Sequence, residues 1–527
     1  MKRPLKKRAQ VPEYVSPNQL VLDGFESPFD QKLNPKNRWV VLAHLIPWDE
    51  ICNLYLKFVP VSQTGRPPLN PRIVLGSLVI KHMCNLDDRE TVDQISENIY
   101  MQYFLGYSSF TNESPFDASL FVEFRKRLGM ENLNAINEKI ITLKTKIEDK
   151  QKVLDNQFVE STNNDHSKDT QSGNPDEVEH KGRVIFDATA CPQDIAYPTD
   201  LNLLNDAREK LEELIDVVYD STIHAKKPRT YREVARKKYL QTAQKKKKGH
   251  KVIRKAIGEQ LGYVRRDIKS IHKLLDAYEN KPFPLKHAEQ KYLFVVQTLY
   301  EQQKQMYDNK THSVDYRIVS IHQPHVRPIV RGKEHAKVEF GAKIHVSIFD
   351  GISFLDELSW DAFNEGSHMI DYVEKFKKRF GCLPREVLAD QIYCTRENRK
   401  TLKELGIKLL AKPLGRPSAV SIHVSPGERN PIEGKFGQAK TAYGLDRIKA
   451  RLKGTSESWI ATILMVLNLV KLAGVVLLCP FILVLYWLSF SVRLLKTSFQ
   501  NLWHILKKIY FIYQIDNSHQ FLTIKEA

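Results

Sequence analysis

The sequence contains little that would support a disulfide-stabilised or zinc-stabilised protein. Its six cysteines are scattered over 527 residues and form no CxxC pair, which argues against both a disulfide framework and a zinc knuckle. His322 and His325 have no cysteine pair beside them and do not indicate a zinc site. No apolar segment follows the basic N-terminus MKRPLKKRAQ, so we expect no secretion signal. These absences favour a protein of the reducing cytoplasm.

Long apolar runs are also scarce, with one exception near the C-terminus. Residues 473–492, AGVVLLCPFILVLYWLSFSV, are long enough to cross a bilayer. Pro480 interrupts this run, however, and basic residues flank both of its sides. We therefore interpret 473–527 as an apolar C-terminal extension or buried helix, and keep membrane contact through 473–492 as the less favoured alternative.

Charge is unbalanced toward the positive sign. The 80 lysines and arginines exceed the 62 acidic residues and give a formal net charge of +18. Such an excess indicates a polyanionic partner, either nucleic acid or an anionic membrane surface. A hydrophobic content of 42% is typical of globular chains, and the length predicts two or three domains.

Much of the positive charge lies in a predicted helical stretch, residues 201–312, in which tyrosines are interleaved. This stretch is either an ordinary solvated helical face or a surface for phosphate backbones, and we favour the second because like charges at this density repel one another. The candidate DNA-binding residues here are all basic: Arg236, Lys238, Lys245, Lys246, Lys247 and Lys248.

The composition divides the chain into segments. After an N-terminal arm, 1–35, residues 36–148 predict a compact helical region that resembles a helix-turn-helix bundle and suits DNA binding. Its predicted helices are Arg38–Phe58, a helix opened by Asn70-Pro71 and ending at His82, Asp87–Tyr100 and Asp117–Leu128. Residues 149–183 are polar and predict a linker.

From residue 184 to 472 the pattern predicts an α/β region interrupted by the basic helices. Predicted strands are Val184–Phe186, which ends at Asp187, Tyr316–His322, a hairpin turning at Asp350-Gly351, and Glu386–Ala389, which ends at Asp390. A predicted helix, Pro431–Lys440, carries Glu433, with Lys440 two turns along the same face.

Three carboxylates, Asp187, Asp390 and Glu433, are the candidate catalytic residues. Hard oxygen ligands suit Mg²⁺ or Mn²⁺, and a carboxylate cluster that holds two such ions performs in-line displacement at phosphorus. Each residue also has a structural alternative: a turn cap for Asp187, a helix N-cap for Asp390 and a surface ion pair for Glu433. Glu428 is the rival for the third carboxylate. We assign Asp194 and Asp350 to turns.

Five stretches resemble the transposases of bacterial insertion sequences, whose catalytic domain is RNase H-like and carries a DDE triad. They are GRPPLNPRIVLGSLVIKHMCNLDDRETVDQI, DATACPQDIAYPTDLNLLNDARE, RGKEHAKVEFGAKIHVSIFDGI, LADQIYCTRENRKTLKELGI and RNPIEGKFGQAKTAYGLDRIKAR. The resemblance implies that Asp187, Asp390 and Glu433 form the triad and bind two Mg²⁺ or Mn²⁺ ions. It also implies that Arg429, Glu433 and Lys440 form the family's helix signature. Pro426 stands where this signature has a tyrosine.

The resemblance further implies an RNase H-like domain over 184–472, with the helical insertion at about 201–312. The implied partners are DNA, as terminal inverted repeats and as target, and further copies of the chain in a synaptic complex on the bacterial nucleoid. Three other functions stay open: a catalytically inactive DNA-binding regulator, a membrane-associated nucleic-acid binder, and a nuclease that lacks strand transfer.

Overall fold

The computed structural model describes residues 32–58, 68–139, 180–279, 281–330, 338–411 and 426–473. The predicted N-terminal arm lies almost wholly outside these residues. So do the predicted linker before residue 180 and the C-terminal extension after residue 473.

The N-terminal region is helical, as its sequence pattern predicts. Its helices are α1 (Arg38–Leu45), α2 (Trp48–Phe58), α3 (Pro71–Met83), α4 (Asp88–Glu97), α5 (Ile99–Leu105) and α6 (residues 120–139). Asn70 caps α3 by accepting a hydrogen bond from the Arg72 amide, and Asp87 forms a capping box with Glu90 at α4.

Three predicted helix boundaries in this region are wrong. The single helix predicted over Arg38–Phe58 is two helices, because Pro47 interrupts the backbone hydrogen bonding after α1. The helix predicted to reach Tyr100 ends at Glu97, since Asn98 caps the next helix, α5. The helix predicted to end at Leu128 continues as α6 to residue 139.

The second half of the chain forms a six-stranded mixed sheet. Its strands are β1 (Arg183–Pro192), β2 (Arg327–Val330), β3 (Val338–Phe349), β4 (Ile352–Ser359), β5 (Glu386–Leu388) and β6 (Lys408–Leu410). The order is β2-β3-β1-β5-β6, and β4 also pairs with β3. The β3 strand runs antiparallel to β1, β2 and β4, whereas β5 is parallel to both β1 and β6.

The predicted turn between β3 and β4 is confirmed. Asp350 and Gly351 both have positive φ, 50° and 76°, as a tight two-residue hairpin turn with right-handed strand twist requires. The strand predicted over Tyr316–His322 is wrong, because this segment has no strand pairing and Tyr316 itself adopts a left-handed φ of 52°.

A helical bundle is inserted between β1 and β2. It comprises α7 (Asp200–Val218), α8 (Arg232–Ala243), α9 (His250–Asp276) and α10 (His287–Asn309). Leucine, isoleucine and valine side chains from α7, α9 and α10 form one buried cluster. This cluster is separate from the apolar contacts of the sheet, so the insertion has a core of its own.

The remaining helices flank the sheet: α11 (Met369–Phe380), α12 (Arg396–Glu404), α13 (Asn430–Tyr443) and α14 (Lys453–Ala473). Among the described residues, α14 is the one helix long and apolar enough to cross a membrane. Of its most apolar 18-residue window, however, 78% is buried within the protein, and the buried core helix of a soluble protein meets the same criteria.

Helix α14 joins the N-terminal helices to the sheet. Its Asn468 donates hydrogen bonds to Asn137 in α6 and to the carbonyl of Ser353 in β4, and its Ser458 hydroxyl donates to the carbonyl of Arg125. The Trp459 ring packs against His82 with the ring centroids 4.8 Å apart. The N-terminal helices therefore bury part of their apolar surface against the end of the α/β region.

Candidate active site

Asp187 lies in the middle of β1, so the prediction that it ends a strand is wrong. The small residues after it continue the strand as far as Pro192, because they pair with β3 in unbroken register from Ala188 opposite His345 to Pro192 opposite Gly341. Asp187 therefore lies within a strand, β1, that is hydrogen-bonded to β3. This placement is more rigid than a turn and fixes the direction of the side chain.

Asp390 follows β5, as the sequence predicts. Because β5 is parallel to β1, with Leu388 opposite Ile185, Asp390 is brought to the level of Asp187 on the neighbouring strand. Its Oδ1 accepts a hydrogen bond of 2.7 Å from the Gln391 amide and so caps a short 3₁₀ turn, Gln391–Tyr393. Asp390 thus also acts as an N-cap, the structural alternative for this residue. Capping uses Oδ1 and leaves Oδ2 of Asp390 for further ligands.

Arg429 connects the two aspartates. Its Nη2 lies 3.0 Å from Oδ2 of Asp187, and its Nη1 lies 3.1 Å from Oδ1 of Asp390. The residue precedes α13, whose first turn contains Pro431 and whose buried Ile432 packs on Ile185 and Leu388 of the sheet. The packing of α13 thus directs Arg429 onto the carboxylates.

The pKa of Asp187 lies above its ordinary value, chiefly because the carboxyl is buried. Burial raises the pKa of this carboxyl, the Arg429 guanidinium opposes that effect, and the negative charges of Glu365 and Asp390 raise the pKa further. An added cation at this position would therefore relieve repulsion between acidic groups.

Glu365 is a nearby acid that the sequence pattern does not reveal. It lies in a 3₁₀ turn, Glu365–His368, after β4, and its Oε2 pairs with Lys343 Nζ at 3.2 Å. This turn packs against the 3₁₀ turn that Asp390 caps. The approach is so close that a Cβ atom added at Gly366 would lie 2.4 Å from the carbonyl oxygen of Ile392. No local motif marks Glu365. Its proximity to Asp187 results from the return of the chain after the β3–β4 hairpin.

Glu433 is an exposed residue in the first turn of α13. Lys440 lies on the same helix, as predicted, and Glu428 forms a 3.0 Å ion pair with Arg183. No group of three histidine, cysteine or acidic side chains placed to hold a metal occurs within the described ranges. The structure thus unites two of the three predicted carboxylates, and the role of Glu433 stays a prediction.

The two aspartates fit a divalent ion in their donor chemistry. Both present hard carboxylate oxygens to the same guanidinium, so the two groups are neighbours around one positive charge. Proteins commonly bind Mg²⁺ through only one or two carboxylates, and substrate phosphates and water complete the octahedron.

The predicted DNA-binding residues of the helical insertion lie on α8 and just after it. Arg236 is exposed on α8, and Lys238 lies on the same helix, with Nζ 3.6 Å from a carboxylate oxygen of Glu259. The connection between α8 and α9 is not helical and contains four adjacent exposed lysines: Lys245, Lys246, Lys247 and Lys248. Four neighbouring ammonium groups on an exposed connection form a positive surface suited to phosphates, and their contact with DNA stays a prediction.

The residues assigned to turns lie away from the aspartate pair. Asp194 accepts a 2.9 Å hydrogen bond from Arg447, and Asp350 forms the β3–β4 turn.

Comparison with known proteins adds sequence evidence. Residues 27–127 match the family model "Transposase domain (DUF772)", and residues 387–470 match "Transposase DDE domain". The second segment includes Asp390, Arg429 and Glu433, whereas Asp187 lies outside both segments. The "uncharacterized protein ORF8 in nfe locus" of Rhizobium meliloti is 32% identical over 189 residues, which cover 36% of this chain and 78% of the relative. No solved structure matches the chain.

Proposed function

The chain belongs to the insertion-sequence transposases with a DDE domain, and we propose that it cleaves and rejoins DNA at the aspartate pair Asp187 and Asp390. The observation that carries this proposal is the convergence of both carboxylates on one guanidinium. Two carboxylates, one on β1 and one just after β5, approach each other in this way where a cation offsets their repulsion, as Arg429 does here. We propose Glu433 as the third acid of the site.

We further propose that the α/β region, 184–472, is RNase H-like. Three antiparallel strands, β4, β3 and β1, followed by the parallel β5 and β6, support this assignment. The first aspartate on the central β1 and the second after β5 agree with it. The basic helices at about 201–312 are then an insertion after the first strand.

Divalent ions, Mg²⁺ or Mn²⁺ and two in number, would activate the attacking oxygen and stabilise the leaving one when bound by Asp187, Asp390 and Glu433. The protein residues hold the substrate. Lys440, two turns along α13 from Glu433, binds the phosphate beside the cleaved bond, and Arg429 binds another phosphate oxygen. Lys440 lies on α13, which packs against the aspartate strands, and Arg429 is the N-cap residue of that helix.

The other contacts with DNA are proposed to lie outside this centre. Residues 36–148 form a helix-turn-helix-like region that recognises terminal inverted repeats. Two or more copies assemble with both ends and the target DNA in the cytoplasm, at the nucleoid. Six basic side chains of the insertion hold the phosphate backbone without reading bases: Arg236, Lys238, Lys245, Lys246, Lys247 and Lys248.

Substitution of the three acids tests the proposed chemistry. Asp187→Asn, Asp390→Asn and Glu433→Gln preserve size and remove the charge that holds the ions. Each variant should lose nearly all Mg²⁺-dependent cleavage of a duplex that carries the element's end, while it still binds that duplex. The triple variant should be hardly worse than any single one, because residues that act as a unit fail as a unit.

Two matched controls are Asp194→Asn and Asp350→Asn, which change aspartates outside the site and should retain substantial activity. Near-normal cleavage by Glu433→Gln together with an inactive Glu428→Gln would identify Glu428 as the third acid. Normal cleavage by Asp187→Asn would refute the proposal as a whole.

A further inference from the structure

The guanidinium of Arg429 occupies the point at which the two aspartate carboxylates converge. One Nη atom contacts each aspartate, at 3.0 Å and 3.1 Å, so a single positive charge is shared between two negative ones. The buried Nε of Arg429 has no hydrogen-bond partner in the described part of the chain. An unsatisfied buried donor makes this arrangement less stable than a fully bonded one.

We propose that Arg429 closes the aspartate pair to divalent cations until DNA phosphate withdraws the guanidinium, so that metal binding is coupled to DNA binding. This inference rests on the proposed function of Asp187 and Asp390 as metal ligands. It assigns Arg429 a second role, because the same side chain that binds phosphate first blocks the metal.

Electrostatics makes simultaneous binding of the two cations unfavourable. A divalent ion binds carboxylate oxygens at about 2.0–2.1 Å. The Arg429 nitrogens lie about 3 Å from those same oxygens, so the ion and the guanidinium would be adjacent and would repel each other. The two aspartates, with a combined charge of −2 against +1 from Arg429, attract a divalent ion strongly once the guanidinium leaves.

The local backbone allows this exchange without unfolding of α13. Arg429 is the N-cap residue, outside the hydrogen-bonded body of the helix, and its side chain makes no capping bond. The Asp390 side is open, because its side chain is 57% exposed against 19% for Asp187. A phosphate that approaches from this side competes for the guanidinium, which binds phosphate in the same two-pronged manner as carboxylate.

Titration of the full-length chain with Mn²⁺, followed by electron paramagnetic resonance, tests the coupling without use of activity. Arg429→Gln should bind Mn²⁺ about tenfold more tightly than the unmodified chain in the absence of DNA, a size typical of coupling between linked sites. Arg429→Lys, which keeps the charge but cannot bridge both carboxylates, should lie between the two. Duplex DNA from the flanks of the gene should tighten Mn²⁺ binding by the unmodified chain and have less effect on Arg429→Gln.

Two controls separate this inference from the proposed function. Arg447→Gln removes an arginine that pairs with Asp194 instead, and it should leave Mn²⁺ affinity unchanged. The double variant Asp187→Asn, Arg429→Gln should lose the tight Mn²⁺ binding expected of Arg429→Gln alone. In the titrations with DNA, the same double variant measures the Mn²⁺ that the DNA itself binds. Mn²⁺ binding that depends on Asp187 but is unaffected by Arg429→Gln would overturn the coupling alone. Absence of any Asp187-dependent binding would overturn both proposals.

Discussion

Asp88, at the start of α4, pairs with two buried cations of the N-terminal helices. Loss of its charge should lower the free energy of unfolding. Its carboxylate receives two hydrogen bonds from Arg125, at 2.9 Å and 2.8 Å, and lies 2.9 Å from Lys81 Nζ. Both cations are almost fully buried, and both lie over the ring of Trp459 from α14. Asp88→Asn would remove the carboxylate that pairs with both buried positive charges.

The size of this effect follows from the burial of the two cations. Removal of one partner from a buried ion pair costs about 3–5 kcal/mol. Because the Asp88 side chain is itself 30% exposed, we expect the lower end, about 3 kcal/mol, or roughly a hundredfold in the ratio of folded to unfolded chain. Urea unfolding followed by circular dichroism should show a lower midpoint at an unchanged slope.

The effect should also depend on pH. Burial acts to raise the pKa of Asp88, but its bonds to Arg125 and the charge of Lys81 outweigh burial and lower that pKa. A depressed folded pKa stabilises the fold above the ordinary aspartate value, and this contribution is lost as the pH falls through the folded value. The difference in the free energy of unfolding between the unmodified chain and Asp88→Asn should thus be constant at neutral pH and shrink below about pH 4.

The matched control is Glu123→Gln. Glu123 pairs with Lys126 at 2.8 Å, but both side chains are about half exposed, so its loss should cost less than about 0.5 kcal/mol. If the free energy of unfolding of Asp88→Asn also lies within about 0.5 kcal/mol of that of the unmodified chain, the buried charge group does not stabilise the fold and the prediction is refuted.

Two further predictions concern DNA contact and the connection between the N-terminal helices and the sheet. Replacement of the four lysines at 245–248 by glutamine should weaken binding to all duplexes alike and flatten the salt dependence of affinity, measured by fluorescence anisotropy, since phosphate contacts carry no sequence information. A loss confined to one DNA sequence would contradict this assignment. Asn468→Leu should lower the free energy of unfolding by about 2–3 kcal/mol, because the buried amide of Ser353 and the side chain of Asn137 lose a partner. An unchanged thermal midpoint would show that other groups satisfy them.

Features that depend on a few adjacent residues could be predicted from the sequence. The capped start of α3 at Asn70-Pro71 and the Asp350-Gly351 hairpin are examples, because capping side chains and positive φ are local requirements. The position of Asp390 after β5 could be predicted equally well, because the apolar run of this strand ends just before it.

Features that depend on pairing between distant segments could not be predicted. The small residues after Asp187 resemble a turn, and only their register with β3 shows that the strand continues. The contact of Arg429 with Asp187 joins residues 242 positions apart, and no spacing rule predicts its geometry. Glu365 was missed for the same reason, because its neighbours belong to other elements of the fold.

The packing of α14 against the N-terminal helices constrains the order in which the protein can be completed during synthesis. Ser458 contacts the carbonyl of Arg125 across 333 positions of the sequence, an interval that takes a ribosome roughly 20–70 s to translate. During that interval Lys81 and Arg125 lack the Trp459 ring that covers them in the finished fold. The nascent N-terminal helical region therefore reaches its final form only after Asp187, Asp390 and Arg429 have also been made.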